Sequence, residues 1–199
     1  MKKLVLAIFL GITVNLCAQE KPEGLFINSK APDFKAKDQN GNEIVLKDLR
    51  KKGPVVIIFY RGYWCPYCNK ELQKLEDSLQ AIRDKGAQLI AITPEKPEGI
   101  AKTIEKTKVS YSIISDEDLK IMKGYRVAFQ VDDKALARYK MASIDLAANN
   151  GHKPGDVYLP VPAVYIINKD GEVSYRFFNP DYKNQASVNE ILKNLDGLK

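Results

Sequence analysis

A continuous apolar run, Val55 to Tyr60, is the feature that most narrows the folds open to this chain. A strand without polar alternation is buried on both faces, and such strands belong to sheets that helices cover on both sides. An amphipathic helix follows, because apolar residues recur at spacings of three, four and three among charged ones: Leu72, Leu75, Leu79 and Ile82. Strand and helix together predict an α/β domain.

The rest of the chain continues this alternation. Further strands are predicted at Gln88 to Thr93 and around Tyr111 to Ile114, and further helices at Pro97 to Lys106, Glu117 to Tyr125 and Ser187 to Leu195. Turn residues predict two hairpins, one within Phe34 to Val45 and one joining Val164 to Asn168 with Glu172 to Phe177. The order predicts a central, mixed but mainly parallel sheet flanked by helices, with an N-terminal β-hairpin and a late antiparallel hairpin.

One stretch does not fit a minimal domain of this kind. Asp132 to Leu159 contains a helix-like segment, Lys134 to Leu146, and a loop-like one, Asn149 to Tyr158. We interpret it as an insertion before the late hairpin. It either packs over the edge of the sheet or shapes substrate access.

The N-terminus has the pattern of a cleaved secretory signal peptide over residues 1–18. Lys2 and Lys3 precede an apolar run from Leu4 to Leu16, and Ala18 supplies a small residue before a polar one. This pattern predicts secretion across the inner membrane, into the periplasm. Two alternatives attach the protein to a membrane instead: the segment is retained as an anchor, or Cys17 is lipidated.

Composition limits the classes of partner. Residues 19–199 are long enough for a single domain with one core. The net charge of +6 is spread along the chain rather than clustered, so we expect no nucleic-acid partner. Three cysteines are too few for a disulfide-stapled scaffold.

The chemistry concentrates in Cys65-Pro66-Tyr67-Cys68, between the buried strand and the amphipathic helix. Pro66 suits the first position of a helix and pushes Cys65 into the N-cap. There, unpaired backbone N–H groups and the positive end of the helix dipole stabilise a thiolate, so the Cys65 pKa should fall below its free value of about 8.5. Cys68 lies one turn on, on the same face, where the two sulfurs can bond. We therefore predict a redox pair.

Neighbouring residues would support this pair. Arg61 would add positive charge for the thiolate, and the aromatic rings of Trp64 and Tyr67 would either shield the sulfurs or simply pack. A metal site needs about four ligands, and His152 is the only nitrogen ligand available beside the pair, so we predict neither a metal nor another cofactor. A purely structural disulfide closing so short a loop would constrain the unfolded chain little.

These residues resemble a known family. Trp64-Cys65-Pro66-Tyr67-Cys68 is similar to a thioredoxin-type active site, with the Pro-Tyr dipeptide of glutaredoxins, and the wider chain resembles the peroxiredoxin-like AhpC/TSA branch of the thioredoxin superfamily. Four segments carry that wider resemblance: Ala31 to Phe34, Phe59-Tyr60, Ile114 to Asp116 and Val164 to Gly171. The resemblance covers most of Lys30 to Leu195, apart from the insertion, and implies a thioredoxin-like fold.

The chain departs from the peroxiredoxin pattern at three positions. Cys68 stands where peroxiredoxins place the peroxidatic cysteine, but Arg61, Cys65 and Pro162 stand where they carry proline, threonine or serine, and arginine. A thioredoxin-like Pro162 implies a cis peptide bond that leaves the backbone of Val161 free to pair with a substrate. The alternative is a trans proline at a strand start.

The resemblance leads to two functional hypotheses. In the first, Cys65 attacks a protein or small-molecule disulfide, Cys68 resolves the mixed disulfide, and a thioredoxin-like partner reduces the pair; Trp64, Tyr67 and Pro162 form the docking rim. In the second, the protein is a thioredoxin-dependent peroxidase in which hydrogen peroxide or an alkyl hydroperoxide oxidises Cys68, and Cys65 resolves it. A third, non-enzymatic reading makes the fold a binding module.

Overall fold

The computed structural model describes residues 21–198. The predicted signal peptide and Cys17 therefore lie outside the described residues. The elements in chain order are β1 (Lys35–Lys37), β2 (Glu43–Val45), α1 (Leu46–Lys52), β3 (Val55–Phe59), α2 (Pro66–Asp77), α3 (Leu79–Asp84), β4 (Gln88–Thr93), α4 (Pro97–Thr107), β5 (Ser112–Ser115), α5 (Lys120–Gly124), β6 (Ala128–Gln130), α6 (Asp133–Met141), α7 (Leu146–Asn150), β7 (Tyr158–Pro160), β8 (Ala163–Ile167), β9 (Val173–Phe178) and α8 (Val188–Leu195).

The central sheet has five strands in the order β5-β4-β3-β8-β9. β3, β4 and β5 pair in parallel, β8 is antiparallel to β3, and β9 is antiparallel to β8. β8 alone therefore opposes the direction of the other four strands. The predicted α/β class is confirmed, with a mixed central sheet. The N-terminal hairpin is also confirmed, as β1 and β2 paired around Asn40-Gly41-Asn42.

Burial on both faces explains why β3 has no polar residue. Val56 and Ile58 point into one apolar cluster, whereas Val55, Ile57 and Phe59 point into another on the opposite face. The first cluster is closed by apolar residues of α2, α3 and α8, and the second by residues of α1 and α5. β3 thus ends between two layers of helices, and the loop that follows it leads to Cys65.

The helix predicted over Leu72 to Ile82 is interrupted. Its apolar positions all face the core, but they lie on α2 and α3, which are separated by Ser78. Ser78 leaves helical geometry at ψ 4° while its backbone N–H still donates to the Lys74 carbonyl. The apolar periodicity persists across this break, so the pattern did not reveal it.

The insertion is a small substructure with its own apolar cluster. Two short helices, α6 and α7, are enclosed by β6 and β7, which pair antiparallel from Ala128 with Pro160 to Gln130 with Tyr158. Four buried residues form its core: Val131, Leu146, Val157 and Leu159. Trp64 packs against this core, so the insertion contacts the loop that joins β3 to α2. The loop predicted over Asn149 to Tyr158 is wrong at both ends, where α7 and β7 intrude.

None of the helices within residues 21–198 is both long and apolar enough to cross a bilayer.

Candidate active site

Cys65 and Cys68 form a disulfide where the chain passes from β3 into α2. Their Cα atoms are 5.3 Å apart, an ordinary disulfide separation. Cys65 is the N-cap residue, with extended backbone angles of φ −89° and ψ 106°, and Pro66 is the first helical residue. The predicted helix start is confirmed.

The helix N-terminus already supplies a hydrogen bond to the first sulfur. The backbone N–H of Cys68 donates to Cys65 Sγ at 3.4 Å. The first N–H groups of a helix have no partner within it, and here one of them faces the sulfur that would carry negative charge after reduction. This arrangement favours a thiolate at Cys65 over one at Cys68.

Both cysteines are covered. Cys65 is 1% exposed and Cys68 is 2% exposed, and both belong to the apolar cluster beneath α2. No partner of protein size can reach Cys65 in this conformation. Disulfide exchange therefore requires part of the surrounding structure to move aside.

A buried carboxyl anchors the loop before the cysteines. The backbone N–H of Tyr63 donates to both oxygens of Glu95, at 3.0 Å each. The Tyr63 carbonyl accepts from the side chains of Asn69 at 2.8 Å and Lys106 at 3.2 Å. Contacts from α2, α4 and the end of β4 thus fix one residue just ahead of the redox pair.

Residue 62 must be a glycine because the surrounding atoms leave no space for a side chain. A Cβ atom at residue 62 would lie 2.6 Å from Glu95 Oε1 and 2.6 Å from Trp64 Nε1, and the φ of +151° also disfavours a side chain. Trp64 Nε1 is buried and has no hydrogen-bond partner among the described residues. The ring of Trp64 meets that of Tyr139 edge-on, with centroids 5.1 Å apart.

Arg61 occupies an aromatic cage rather than an open position near the thiols. It is 4% exposed, and its guanidinium carbon lies 4.1 Å from the ring centroid of Tyr182, 5.0 Å from that of Trp64 and 5.7 Å from that of Tyr139. Nη2 donates to the Tyr139 hydroxyl. Within residues 21–198 no carboxylate pairs with Arg61. Burial lowers the pKa of the guanidinium, while Tyr182 raises it.

The outer surface of the site is made of two tyrosines. Tyr67 is 39% exposed and Tyr182 is 38% exposed, and their rings meet edge-on with centroids 5.8 Å apart. Tyr67 lies between the cysteines in sequence, whereas Tyr182 lies on the loop that follows β9. Because Tyr182 also stacks on Arg61, which contacts Tyr139 in turn, Arg61, Tyr67, Tyr139 and Tyr182 form one connected group of side chains, which we call the cover.

Pro162 differs from its expectation. No cis peptide bond occurs within residues 21–198, so the bond between Val161 and Pro162 is trans, and Pro162 is buried rather than on the rim. The backbone N–H of Val161 donates to the Val127 carbonyl at 2.9 Å, because the residues just before β8 extend the pairing of the insertion. The expected free backbone for a substrate is therefore wrong for this N–H group. Pro162 still directly precedes Ala163, which pairs with Phe59 beside the active-site loop.

The sequence reasoning missed two buried acids. Glu71 lies three residues after Cys68 on α2 and accepts a hydrogen bond from Ala186 N–H at 3.1 Å. Glu95 follows the buried strand β4. Burial raises the pKa of each carboxyl to about 8.

A signal for each acid was present in the sequence. An (i, i+3) spacing from a predicted helical cysteine places Glu71 on the same face as Cys68. Functional side chains also gather at the carboxyl ends of parallel strands, where Glu95 lies. Tyr139 and Tyr182 had no such signal, because only the tertiary fold brings them to Arg61.

A metal centre has no candidate here: among residues 21–198, no group of three or more histidine, cysteine, aspartate or glutamate side chains could hold an ion.

Several known proteins are similar to this chain in sequence. Peroxiredoxin Q from the chloroplast of Sedum lineare is 27% identical over 173 residues, covering 86% of this chain and 78% of the relative. The rice protein of the same name is 26% identical over 172 residues, covering 85% of this chain and 66% of the relative. The thiol-disulfide oxidoreductase ResA from Bacillus cereus is 24% identical over 193 residues, covering 96% of this chain and 91% of the relative.

Solved structures show the same fold. Peroxidoxin BcpB from Mycobacterium tuberculosis matches with a TM-score of 0.67 at 19% identity, over 87% of this chain and 97% of that one. The thioredoxin domain of a thiol-disulfide oxidoreductase from Bacteroides vulgatus matches with a TM-score of 0.58 at 19% identity, over 86% of this chain and 99% of that domain. The thioredoxin-like fold implied by the sequence resemblance is confirmed.

The family model described as the AhpC/TSA family matches residues 27–176, which include the central sheet up to β9 and the Cys65–Cys68 pair. This chain therefore belongs to the AhpC/TSA family.

Proposed function

We propose that this protein is a thiol-disulfide oxidoreductase whose reactive pair is Cys65 and Cys68. Within an oxidoreductase family that acts on disulfides or peroxides, one observation supports this choice: in the Cys65–Cys68 pair a helical N–H donates to Cys65 Sγ, which favours Cys65 as the attacking sulfur, whereas a peroxidase would use Cys68. ResA, named for this activity, matches nearly the whole chain.

The exchange has two steps. In the reduced protein, the Cys65 thiolate attacks one sulfur of a substrate disulfide, a Cys65–substrate bond forms, and the other substrate sulfur leaves as a thiolate. Cys68 then loses its proton and attacks Cys65 Sγ, which releases the second substrate thiol. The Cys65–Cys68 disulfide that remains must be reduced by a thioredoxin-like partner.

The second step needs a group that accepts the Cys68 proton. Glu71 is suited to this role by position, since it is buried one turn further along α2. Its pKa of about 8 leaves a minor fraction of Glu71 as the carboxylate at neutral pH, and this fraction can accept a proton from a thiol, whose free pKa is about 8.5. Glu95 instead positions the loop, because both of its oxygens are held by Tyr63 N–H.

Export is part of the proposal and depends on residues 1–18 alone. In an oxidising compartment the pair rests as a disulfide, and its reductant becomes the limiting partner. Retention of the N-terminal segment, or lipidation of Cys17, would instead hold the same domain at a membrane.

Mixed-disulfide trapping tests the proposal. A Cys68→Ser variant cannot complete the exchange, so it should accumulate a covalent adduct with its partner through Cys65. A Cys65→Ser variant retains Cys68 and serves as the matched control, which should trap little. The adducts are separated by non-reducing electrophoresis and identified by mass spectrometry. Absence of any adduct in Cys68→Ser, or equal trapping by both variants, would contradict the assignment.

Peroxide reduction is the second candidate, and the matches to peroxiredoxin Q favour it. In that reaction the Cys68 thiolate attacks one peroxide oxygen, the O–O bond breaks, and the other oxygen leaves as water or an alcohol. Cys65 then attacks the sulfur of the resulting sulfenic acid, which forms the disulfide and releases water. Stopped-flow oxidation of the reduced protein by hydrogen peroxide separates the candidates. A fast second-order reaction that persists in Cys65→Ser and disappears in Cys68→Ser would favour the peroxidase.

A further inference from the structure

A groove of about 600 Å³ opens beside Tyr67, between α2 and the loop that enters α8. Three lysines line it: Lys70, Lys74 and Lys183. All three side chains are exposed, and none forms an ion pair within residues 21–198. We call this feature the lysine groove.

Little negative charge offsets these lysines. The one carboxyl in the lining belongs to Glu71, which is buried, accepts from Ala186 N–H, and has a pKa raised by burial to about 8. Asp181 is close in sequence but turns into its own loop, where it accepts from Lys183 N–H at 3.1 Å and from the Asn184 amide at 3.2 Å. At neutral pH the lysine groove is therefore a concave surface of positive charge.

The lysine groove lies next to the redox pair, although neither cysteine lines it. Tyr67 lines its near end and lies between the two cysteines in sequence, and Tyr182 of the cover directly precedes Lys183. A chain whose cysteine is bonded to Cys65 would therefore run its neighbouring residues into the groove. Amide and hydroxyl side chains on the far wall offer further polar contacts: Asn184, Gln185, Ser187 and Asn189.

We propose that the lysine groove binds an acidic segment next to the reactive cysteine of the protein that exchanges disulfides with Cys65. This inference rests on the proposed function and adds the chemistry of the partner. An extended segment suits the groove because Lys70 and Lys74 lie one helical turn apart on one wall and Lys183 lies on the opposite loop. Complementary charge raises association rates and rejects like-charged partners.

Three peptides that differ only in the charge of their flanking residues test whether the lysine groove binds an acidic segment. Each carries a single cysteine as a mixed disulfide with neutral pyridine-2-thiol, and its flank bears glutamate, glutamine or lysine at the same positions. The Cys65 thiolate attacks the peptide sulfur, a Cys65–peptide bond forms, and pyridine-2-thione leaves; Cys68 then displaces the peptide thiol. Release of the thione gives the rate.

Wild-type protein should react about tenfold faster with the acidic peptide than with the neutral one at low ionic strength, and more slowly with the basic one. The preference should shrink as salt is added. The triple variant Lys70→Gln, Lys74→Gln, Lys183→Gln should bring the acidic-to-neutral ratio close to one. A control that removes the same charge elsewhere, Lys37→Gln, Lys47→Gln, Lys52→Gln, should keep the wild-type ratio.

Failure of the lysine-groove proposal can be distinguished from failure of the proposed disulfide exchange. Equal rates with all three peptides, a preference for the basic one, or loss of the preference in the control as much as in the groove variant would overturn the lysine groove as an acidic site while leaving disulfide exchange intact. No reaction with any peptide would overturn the exchange itself, and the groove inference with it.

Discussion

Individual buried residues fix the loop that presents Cys65. Glu95 is fully buried and holds Tyr63 N–H with both oxygens, while Gly62 leaves space for that carboxyl. Arg61 is likewise buried, and aromatic faces rather than an anion surround it. The loop therefore depends on polar groups in an apolar setting, where removing one partner costs more than the bond itself contributes.

Burial of Glu95 makes folding depend on pH. Its pKa is about 8 in the folded protein against an ordinary value of 4.5, so its contribution to stability is complete below pH 4.5 and is lost as the pH rises to about 8. Glu95→Gln cannot ionise and keeps an acceptor for Tyr63 N–H. Between pH 5 and 8 it should therefore lose less free energy of unfolding than the wild type, by roughly one to a few kcal/mol.

Denaturant unfolding of the oxidised protein at several pH values measures this difference. Glu98→Gln is the control, since Glu98 is an exposed carboxylate three residues further along the chain that water solvates in both states. It should follow the wild-type pH dependence. A Glu95→Gln variant that loses as much stability as the wild type over this range would show that the carboxyl does not stay protonated in the fold.

At the scale of elements, the site is assembled from pieces far apart in sequence. β3 and α2 supply the pair, α6 of the insertion supplies Tyr139, and the loop after β9 supplies Tyr182. Tyr139 and Tyr182 both contact Arg61. The insertion thus contributes to the site itself, through Tyr139.

Opening of the cover should control access to the disulfide. Tyr182→Ala removes the ring that stacks on Arg61 at 4.1 Å and on Tyr67 at 5.8 Å. A loss of about 1 kcal/mol of stacking would make the open form roughly fivefold more populated. The rate of reduction of the disulfide by dithiothreitol should rise by about that factor.

Phe26→Ala provides a matched comparison for this measurement. Phe26 is also an exposed ring stacked on an arginine, Arg176, at 5.4 Å, but it lies outside the cover. Its removal should leave the reduction rate unchanged. If Tyr182→Ala were reduced no faster than the wild type, the two tyrosines would not limit access to Cys65.

Some of the strands and helices could be predicted from the sequence, and others could not. β3, β4 and the start of α2 were predictable because long apolar runs and Pro66 act locally. The pairing of β6 with β7 was not, because each strand has three residues and the partners are separated by both helices of the insertion. Short strands of this kind are stabilised by packing on Trp64 rather than by their own pattern.

At the scale of the whole molecule, the central sheet brings the residues of the candidate site together. The carboxyl ends of β3 and β4 meet at one edge, which brings Glu95 beside the loop that leads into Cys65. The cysteines and their helix followed from the sequence. The buried position of both sulfurs did not, since the apolar cluster that encloses them, with Trp64 packed against it, forms only in the complete fold. The trans bond before Pro162, which the sequence left open as the alternative to a cis bond, could not be chosen for the same reason, because its setting depends on β6 and β7.

The thiol pKa of Cys65 most directly tests whether Cys65 is the attacking sulfur. Burial raises this pKa, whereas the helix N-terminus lowers it. In a Cys68→Ser variant the thiolate absorbance of Cys65 is followed against pH, and the Cys65→Ser variant gives the same curve for Cys68. We expect the helix N-terminus to prevail, with a Cys65 pKa in the range of roughly 3.5 to 7.5 and clearly below that of Cys68. A Cys65 pKa at or above about 8.5, or a lower pKa at Cys68, would contradict Cys65 as the attacking sulfur.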